Sequence, residues 1–266
     1  MTPRVAILTG YGINSDIELA HSFNLAGGKA ERVHLHDAID GRVKLEDFDI
    51  LAVPGGFSFG DHIASGRVFA NRLRHKLGDT LLRLREKKTP ILGICNGFQV
   101  LVKLGLLPGT EPASFTQTAT LTYNDSGRFE NRWCHLTTGG TDANVSSLWL
   151  KGVDSLYLPV RHGEGKFIPG SDALMAELEA NGQACLRYCD EAGLAPQDGV
   201  AGFPVNPNGS TGHVAGLCSK DGLVFGLMPH PEAHVLPTQH PHWQRNGQKA
   251  EGDGLVIFRN AVEAVR

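Results

Sequence analysis

At 266 residues with 41% hydrophobic content, the chain can bury an ample core as one large domain or two small ones. A net charge of −3 gives no basic field for nucleic acid or for an anionic membrane surface, so small molecules or another protein are the expected partners. The five cysteines are odd in number and irregularly spaced, which reads as free thiols in a reducing compartment, with no metal site expected.

Met1-Thr2-Pro3-Arg4 leads straight into the strand-like Val5-Ala6-Ile7-Leu8, without a secretory leader. No apolar run approaches the roughly 18 residues of a membrane span, so a cytoplasmic protein is expected. Ser15-Asp16-Ile17-Glu18 reads as a capping box opening a helix that stops at Gly27-Gly28. Arg32 to Leu35 is a short second strand, and Phe48 to Val53 a firmer third, ended by Pro54-Gly55-Gly56. Leu73, Leu77, Leu81 and Leu84 share one helical face, which predicts an amphipathic helix from Asn71 to Lys87. A strand from Pro90, a sharp turn at Cys95 and a helix ending at Gly105 follow.

Beyond Thr116 the pattern changes to short β-like runs at Ala119–Tyr123, Trp133–Thr137, Leu156–Val160 and Ala184–Tyr188, with a helix over Ser171–Asn181. After a turn-rich stretch at 190–212 come strands at Val214–Cys218 and Leu223–Met228, then a closing helix over Glu251–Val265. Nothing resembling a linker or repeat divides the chain. Residues 1–266 therefore read as a single domain: an α/β core of the flavodoxin-like kind, its mostly parallel sheet covered by helices on both faces, with a β-rich extension.

In such sheets ligands bind beyond the carboxyl ends of the strands, and three motifs fall there. Gly93-Ile94-Cys95-Asn96-Gly97 is the sulfur counterpart of the hydrolase nucleophile elbow, Gly-x-Ser-x-Gly. A passive buried cysteine needs no glycine on either flank, whereas a nucleophile raised on a strained turn does. At the start of a helix the positive end of the dipole also favours a thiolate. Pro229-His230-Pro231-Glu232 follows an apolar strand, and its prolines stiffen the turn. His230 is placed to shuttle protons, with Glu232 fixing its tautomer, as the acid does in a Ser-His-Asp triad. Pro54-Gly55-Gly56-Phe57 supplies a glycine turn whose backbone N–H groups, with that of Asn96, can meet an oxyanion.

Gly-Ile-Cys-Asn-Gly-Phe-Gln with Pro-His-Pro-Glu resembles the class I, or triad, glutamine amidotransferases. Within them the chain is similar to the glutaminase branch of phosphoribosylformylglycinamidine synthase. Pro54–Asp61, Asn124–Glu130, His162–Gly165 and Asn206–Ser210 carry that finer likeness. The resemblance implies that Cys95 attacks the side-chain amide of L-glutamine, with His230 and Glu232 completing the triad. Gly55, Gly56, Phe57 and Asn96 would then surround the reacting carbonyl, and Gln99 would hold the amino-acid end of the substrate.

It also places the 124–129 stretch near that pocket, and gives the His162–Gly165 loop a part in substrate binding or docking. No cofactor is expected in this chain. ATP and Mg would belong to a separate synthetase subunit that receives the ammonia, with room for a small accessory subunit. Since the glutaminase is C-terminal in single-chain versions of the enzyme, a match beginning near residue 1 implies contact in trans.

Several positions depart from the branch pattern, among them Phe98, Ala233, the loop at 9–16 and the tail after Leu236. Three readings compete with this one: the glutaminase of another triad amidotransferase or a free-standing amide hydrolase, a cysteine hydrolase or stress protein on the same core, and a catalytically silent regulatory subunit. The third conflicts with an intact Cys95.

Overall fold

The computed structural model describes residues 1–109, 115–138, 147–196, 202–245 and 249–266. Part of the turn-rich stretch at 190–212 lies outside these residues. The first half alternates as the sequence predicts: β1 (Arg4–Thr9), α1 (Asp16–Leu25), β2 (Lys29–His34), α2 (Leu35–Ile39), β3 (Ile50–Val53), α3 (Arg67–Glu86), β4 (Ile91–Ile94) and α4 (Asn96–Leu104). Then come β5 (Ala119–Thr122), β6 (Glu130–Thr137), β7 (Ser155–His162), β8 (Lys166–Pro169), α5 (Asp172–Ala180), β9 (Leu186–Cys189), β10 (Val214–Cys218), β11 (Val224–Leu227) and α6 (Leu255–Ala264).

Nine strands form one sheet in the order β2-β1-β3-β4-β11-β10-β9-β6-β7. The first five are mutually parallel. The remaining four continue the same sheet with antiparallel pairing, so most of the β-rich extension is a prolongation of the core sheet. Among the described residues, only β5 and β8 pair apart from it. β1, β3, β4 and β11 are near-continuous apolar runs because helices cover both faces of the parallel part. All four leucines predicted on one face of α3 are buried.

From β1 the chain crosses to β2 in one direction and reaches β3 and β4 in the other. With right-handed crossovers, that reversal puts α1 and α3 on opposite faces and opens a crevice where the loops after β1 and β3 part. At its floor lie the ends of β4 and β11, which pair from Val224–Ile91 to Leu227–Ile94.

Two local expectations fail. The capping box at Ser15 is not formed: its side chain makes no cap hydrogen bond, and its Oγ instead donates to Asn14 Oδ1 at 3.3 Å. Leu35, assigned to the second strand, opens α2, whose first turn is capped when the His34 ring accepts from His36 N–H. Among the described residues no helix is long and apolar enough to cross a membrane.

Candidate active site

Cys95 stands between β4 and α4 at φ 51°, ψ −105°, in the left-handed region that a side chain avoids unless its surroundings hold it there. Its N–H donates to Leu227 O of β11 at 2.8 Å, and its carbonyl accepts from Gln99 N–H at 3.1 Å in the first turn of α4. The flanking glycines are required by two close approaches. A Cβ at Gly97 would run into the Val53 carbonyl of β3, and one at Gly93 would lie 2.6 Å from Gly97 O. Backbone therefore meets backbone under the nucleophile. The thiol is 6% exposed, and its S–H points to Arg161 O at 3.6 Å.

His230 leaves the end of β11, its N–H bonded to Pro159 O of β7 at 2.8 Å. Its Nδ1 lies 2.6 Å from Glu232 Oε1, which makes Nδ1 the donor and fixes the tautomer. The other ring nitrogen, Nε2, is buried without a hydrogen-bond partner among the described residues. A Cβ added at Gly55 would touch both His230 Cε1 and Cys95 Cβ, at 2.9 and 3.5 Å, so glycine lets the ring and the thiol share one spot. Burial acts to lower the imidazolium's pKa, but the charges of Glu232 and Cys95 outweigh it and push His230 up to about 10. The ring is therefore charged at neutral pH.

That shift has a consequence for stability. Folding raises His230 from about 6.5, so protonated His230 stabilises the fold in full below about pH 6.5, and the contribution is lost as pH rises towards 10. The denaturant midpoint is expected to fall between pH 7 and 9.5 in the wild type, and to fall less steeply in His230→Gln. An equally steep decline in the variant would contradict the shift.

Cys95 and His230 line a cavity of about 360 Å³, and Glu232 is bonded to the Nδ1 side of the ring. Asn14, Ser15 and Glu18 from the loop after β1 and the first turn of α1 line it. Phe129 just before β6, Asn131 of β6 and Arg161 of β7 also line it. Gly56 and Phe57 complete the lining beside Cys95 and His230.

Of the residues expected around the substrate, Gly56 and Phe57 thus reach the cavity. Gly55 is buried beside His230 and Cys95. The Phe57 N–H is taken up by Gly12 O at 2.7 Å, which leaves Gly56 N–H as the donor on that loop. As first residue of α4, Asn96 has an N–H with no preceding turn to bond. Its side chain, like that of Gln99, lies under the floor. Asn96 Nδ2 donates to Gln99 Oε1 at 3.0 Å and to Asp61 Oδ1 at 3.2 Å, and Gln99 Nε2 donates to Glu164 O at 2.5 Å. Gln99 supports the elbow in this structure, with its amide donor already engaged away from the cavity.

The remaining motifs form one buried polar cluster behind the site. Asn124 Nδ2 donates to Arg128 O and His162 O, while its Oδ1 accepts from His162 Nδ1 and Gly165 N–H. Asn208 Nδ2 donates to Gly165 O and Tyr188 Oη, and its Oδ1 accepts from Ser210 N–H and Oγ–H. Burial, reinforced by the charge of His230, pushes His162 down to about 3, so it remains neutral and shuttles no proton at neutral pH. These loops brace the β7 end that carries Arg161, and Phe129 is the member of the 124–129 stretch that lines the cavity. Asn208→Ala leaves several buried partners unpaired. A loss of about 3 kcal/mol in unfolding free energy is expected, and a change below about 0.5 kcal/mol would refute this bracing role.

A larger cavity, about 570 Å³, lies over His135, Tyr157, Cys189 and the tail at His240. The cysteine among its described lining residues is not activated: burial pushes the Cys189 thiol up to about 11. Burial likewise pushes Cys134 up to about 12. Sequence reasoning missed Glu18, Asn131 and Arg161 as cavity residues. The last two meet only through β6–β7 register, where Asn131 pairs with Arg161, and no local motif encodes that.

Comparison with known proteins agrees with this geometry. The chain is 44% identical over 263 residues to the phosphoribosylformylglycinamidine synthase subunit PurQ of Dehalococcoides mccartyi, covering 99% of this chain and 98% of that one. It is 39% identical over 253 residues to human phosphoribosylformylglycinamidine synthase, covering 90% of this chain and 18% of the human protein. Among solved structures, a chain of PurLQS from Thermotoga maritima superposes with a TM-score of 0.70 at 27% identity, each chain covered in full. The family model of the CobB/CobQ-like glutamine amidotransferase domain matches residues 2–265. With an elbow cysteine, a charged histidine and its carboxylate gathered at the mouth of a switch-point crevice, the chain belongs to the glutamine amidotransferases of that family.

Proposed function

We propose that this chain is the glutaminase component of a phosphoribosylformylglycinamidine synthase. It would hydrolyse L-glutamine through Cys95 and pass ammonia to a separate ATP-dependent synthetase that converts formylglycinamide ribonucleotide to formylglycinamidine ribonucleotide. One observation carries the reading: Cys95, on a strained elbow, shares a cavity with a His230 whose free Nε2 is backed by Glu232. The full-length likeness to subunits named PurQ supports the choice of acceptor. The sheet that runs through the chain supports treating 1–266 as one domain.

In this reading the thiolate of Cys95 adds to the γ-carbonyl carbon of glutamine. Negative charge develops on the carbonyl oxygen, where Gly56 N–H and Asn96 N–H are placed to receive it. The imidazolium of His230 gives its Nε2 proton to the departing nitrogen, and ammonia leaves with formation of a γ-glutamyl thioester. Neutral His230 then takes a proton from water as it attacks the thioester. Glutamate leaves, and thiolate and imidazolium are restored. Glu232 holds the ring and stabilises its charge.

Glutamate release by the purified chain, alone and with the synthetase, ATP and acceptor nucleotide, tests the assignment. Weak turnover strongly raised by the full mixture is expected. High turnover indifferent to the synthetase would retain the thiol chemistry and refute the acceptor.

A further inference from the structure

We infer that the side chain of Asn96 is a positioning group for the oxyanion hole: it latches the loop that carries Gly56 N–H onto the helix turn that carries Asn96 N–H, and so fixes the separation of the two donors. The inference rests on the glutaminase reading above and adds to it the group that holds the two halves of the hole at one spacing.

The two donors belong to different strand ends. β3 and β4 pair as far as Val53 and Gly93, and each donor lies three residues beyond its member of that last pair. The ladder does not reach them, so another contact must set their spacing. The loop after β3 is also strained, since Phe59, Asp61 and Ile63 have positive φ, at 55°, 53° and 75°. Such a segment keeps its shape only where its surroundings hold it.

Asn96 supplies that contact. The residue is 1% exposed, and the oxygen and nitrogen of its amide are both engaged. Oδ1 accepts from Ser58 N–H at 3.3 Å, while Nδ2 donates to Asp61 Oδ1 at 3.2 Å and to Gln99 Oε1 at 3.0 Å. The amide can point only one way, because a backbone N–H donates and a carboxylate accepts. Ser58 stands two residues after Gly56, so the bond acts close to the first donor. Further along the loop, a Cβ at Gly66 would lie 2.9 Å from Val100 N of α4, so backbone packs on backbone there as well. Glu164 closes the network: its Oε2 accepts from Ser65 N–H at 3.3 Å, and its carbonyl takes the Gln99 amide. The loop is tied separately to the one after β1, through Phe57 N–H to Gly12 O at 2.7 Å and Phe59 N–H to Tyr11 O at 2.8 Å. Those bonds hold it beside β1, whereas the bonds of Asn96 relate it to the elbow. A donor moved off its position loses more with the charged oxygen of the tetrahedral intermediate than with the neutral carbonyl, so the effect falls on kcat.

The test uses the chain with its synthetase, ATP and acceptor nucleotide. Asn96→Asp keeps the side chain's size and its acceptor for Ser58, but sets a carboxylate against that of Asp61. Burial and the charge of Glu164 already push the Asp61 carboxyl up. This variant is expected to lower kcat for L-glutamine about 100-fold with KM within threefold. Asp61→Asn alone is expected to cost about fivefold, since an amide oxygen there still accepts from Asn96. In the double variant donor and acceptor trade places and the like charges are gone. Its kcat should therefore rise about tenfold above that of Asn96→Asp, a recovery that simple loss of packing would not give. Denaturant midpoints report whether each variant folds, and Asn96→Ala, expected to cost about 30-fold in kcat, stands in if Asn96→Asp does not.

A kcat within about threefold of the wild type in Asn96→Asp or Asn96→Ala, a loss carried by KM instead, or costs that multiply in the double variant would overturn the positioning role while leaving the glutaminase intact. Failure of the wild type to release glutamate under these conditions would overturn the glutaminase reading, and the positioning role with it.

Discussion

Cys95→Ala is expected to reduce synthetase-stimulated glutamine hydrolysis by about 10⁴-fold or more, because no other group at the base of the cavity can form the thioester. The fold should survive. Alanine removes only the Sγ of a side chain already 6% exposed, and the elbow is held by the Leu227 and Gln99 backbone bonds, which the substitution keeps. Binding to the synthetase should be unchanged for the same reason, and formation of product from ammonium salts in place of glutamine should be retained. This separates loss of the nucleophile from loss of the assembly. Residual hydrolysis above about one part in a thousand would remove Cys95 from its role, since the nearby thiols are buried and their pKa values are raised.

His230→Ala is expected to be nearly as damaging, about 10³-fold in kcat, and Glu232→Ala less so, about 10- to 100-fold. The difference follows from position. His230 carries the proton to the leaving nitrogen, whereas Glu232 acts through the ring 2.6 Å away. Without Glu232 the ring loses the charge that opposes its burial, so its pKa should fall from about 10. The Glu232→Ala enzyme should accordingly lose activity at a lower pH than the wild type as pH rises, because the protonated shuttle is then depleted earlier. A pH profile of kcat/KM for both proteins checks this. A larger loss for Glu232→Ala than for His230→Ala, or superimposable profiles, would reverse the assigned roles.

How far these roles could be read beforehand varied with the range of the interactions. The elbow and the Pro229–Glu232 turn are written in contiguous residues, since strand, tight turn and helix are local properties and glycine and proline mark their places. The parallel core was legible for a similar reason: strands buried on both faces, such as Ile50–Val53, are continuous apolar runs. Polar edges were harder. β2 carries Lys29, Glu31 and Arg32 as an edge strand, and its start was placed late.

The substrate walls were least legible, because they depend on pairing between distant strands. Arg161 comes to line the same cavity as Glu18 only through the order β9-β6-β7 and the β6–β7 register. Ser15 shows the converse, a residue with a strong local capping signal that tertiary structure overrode. Its hydroxyl lies at the cavity wall beside Gly55 instead of closing a helix turn. The loops at 124–130, 162–165 and 206–210 were recognised as a group, but their function as mutual braces emerged only from the hydrogen bonds that join them.

The central claim is covalent chemistry at Cys95, and mass spectrometry of the acid-quenched complex turning over L-glutamine tests it most directly. The account predicts a γ-glutamyl adduct on the peptide containing Cys95, absent from Cys95→Ala and more abundant in His230→Ala if deacylation slows more than acylation. No adduct under steady turnover, or an adduct on Cys134, Cys185, Cys189 or Cys218 instead, would contradict it.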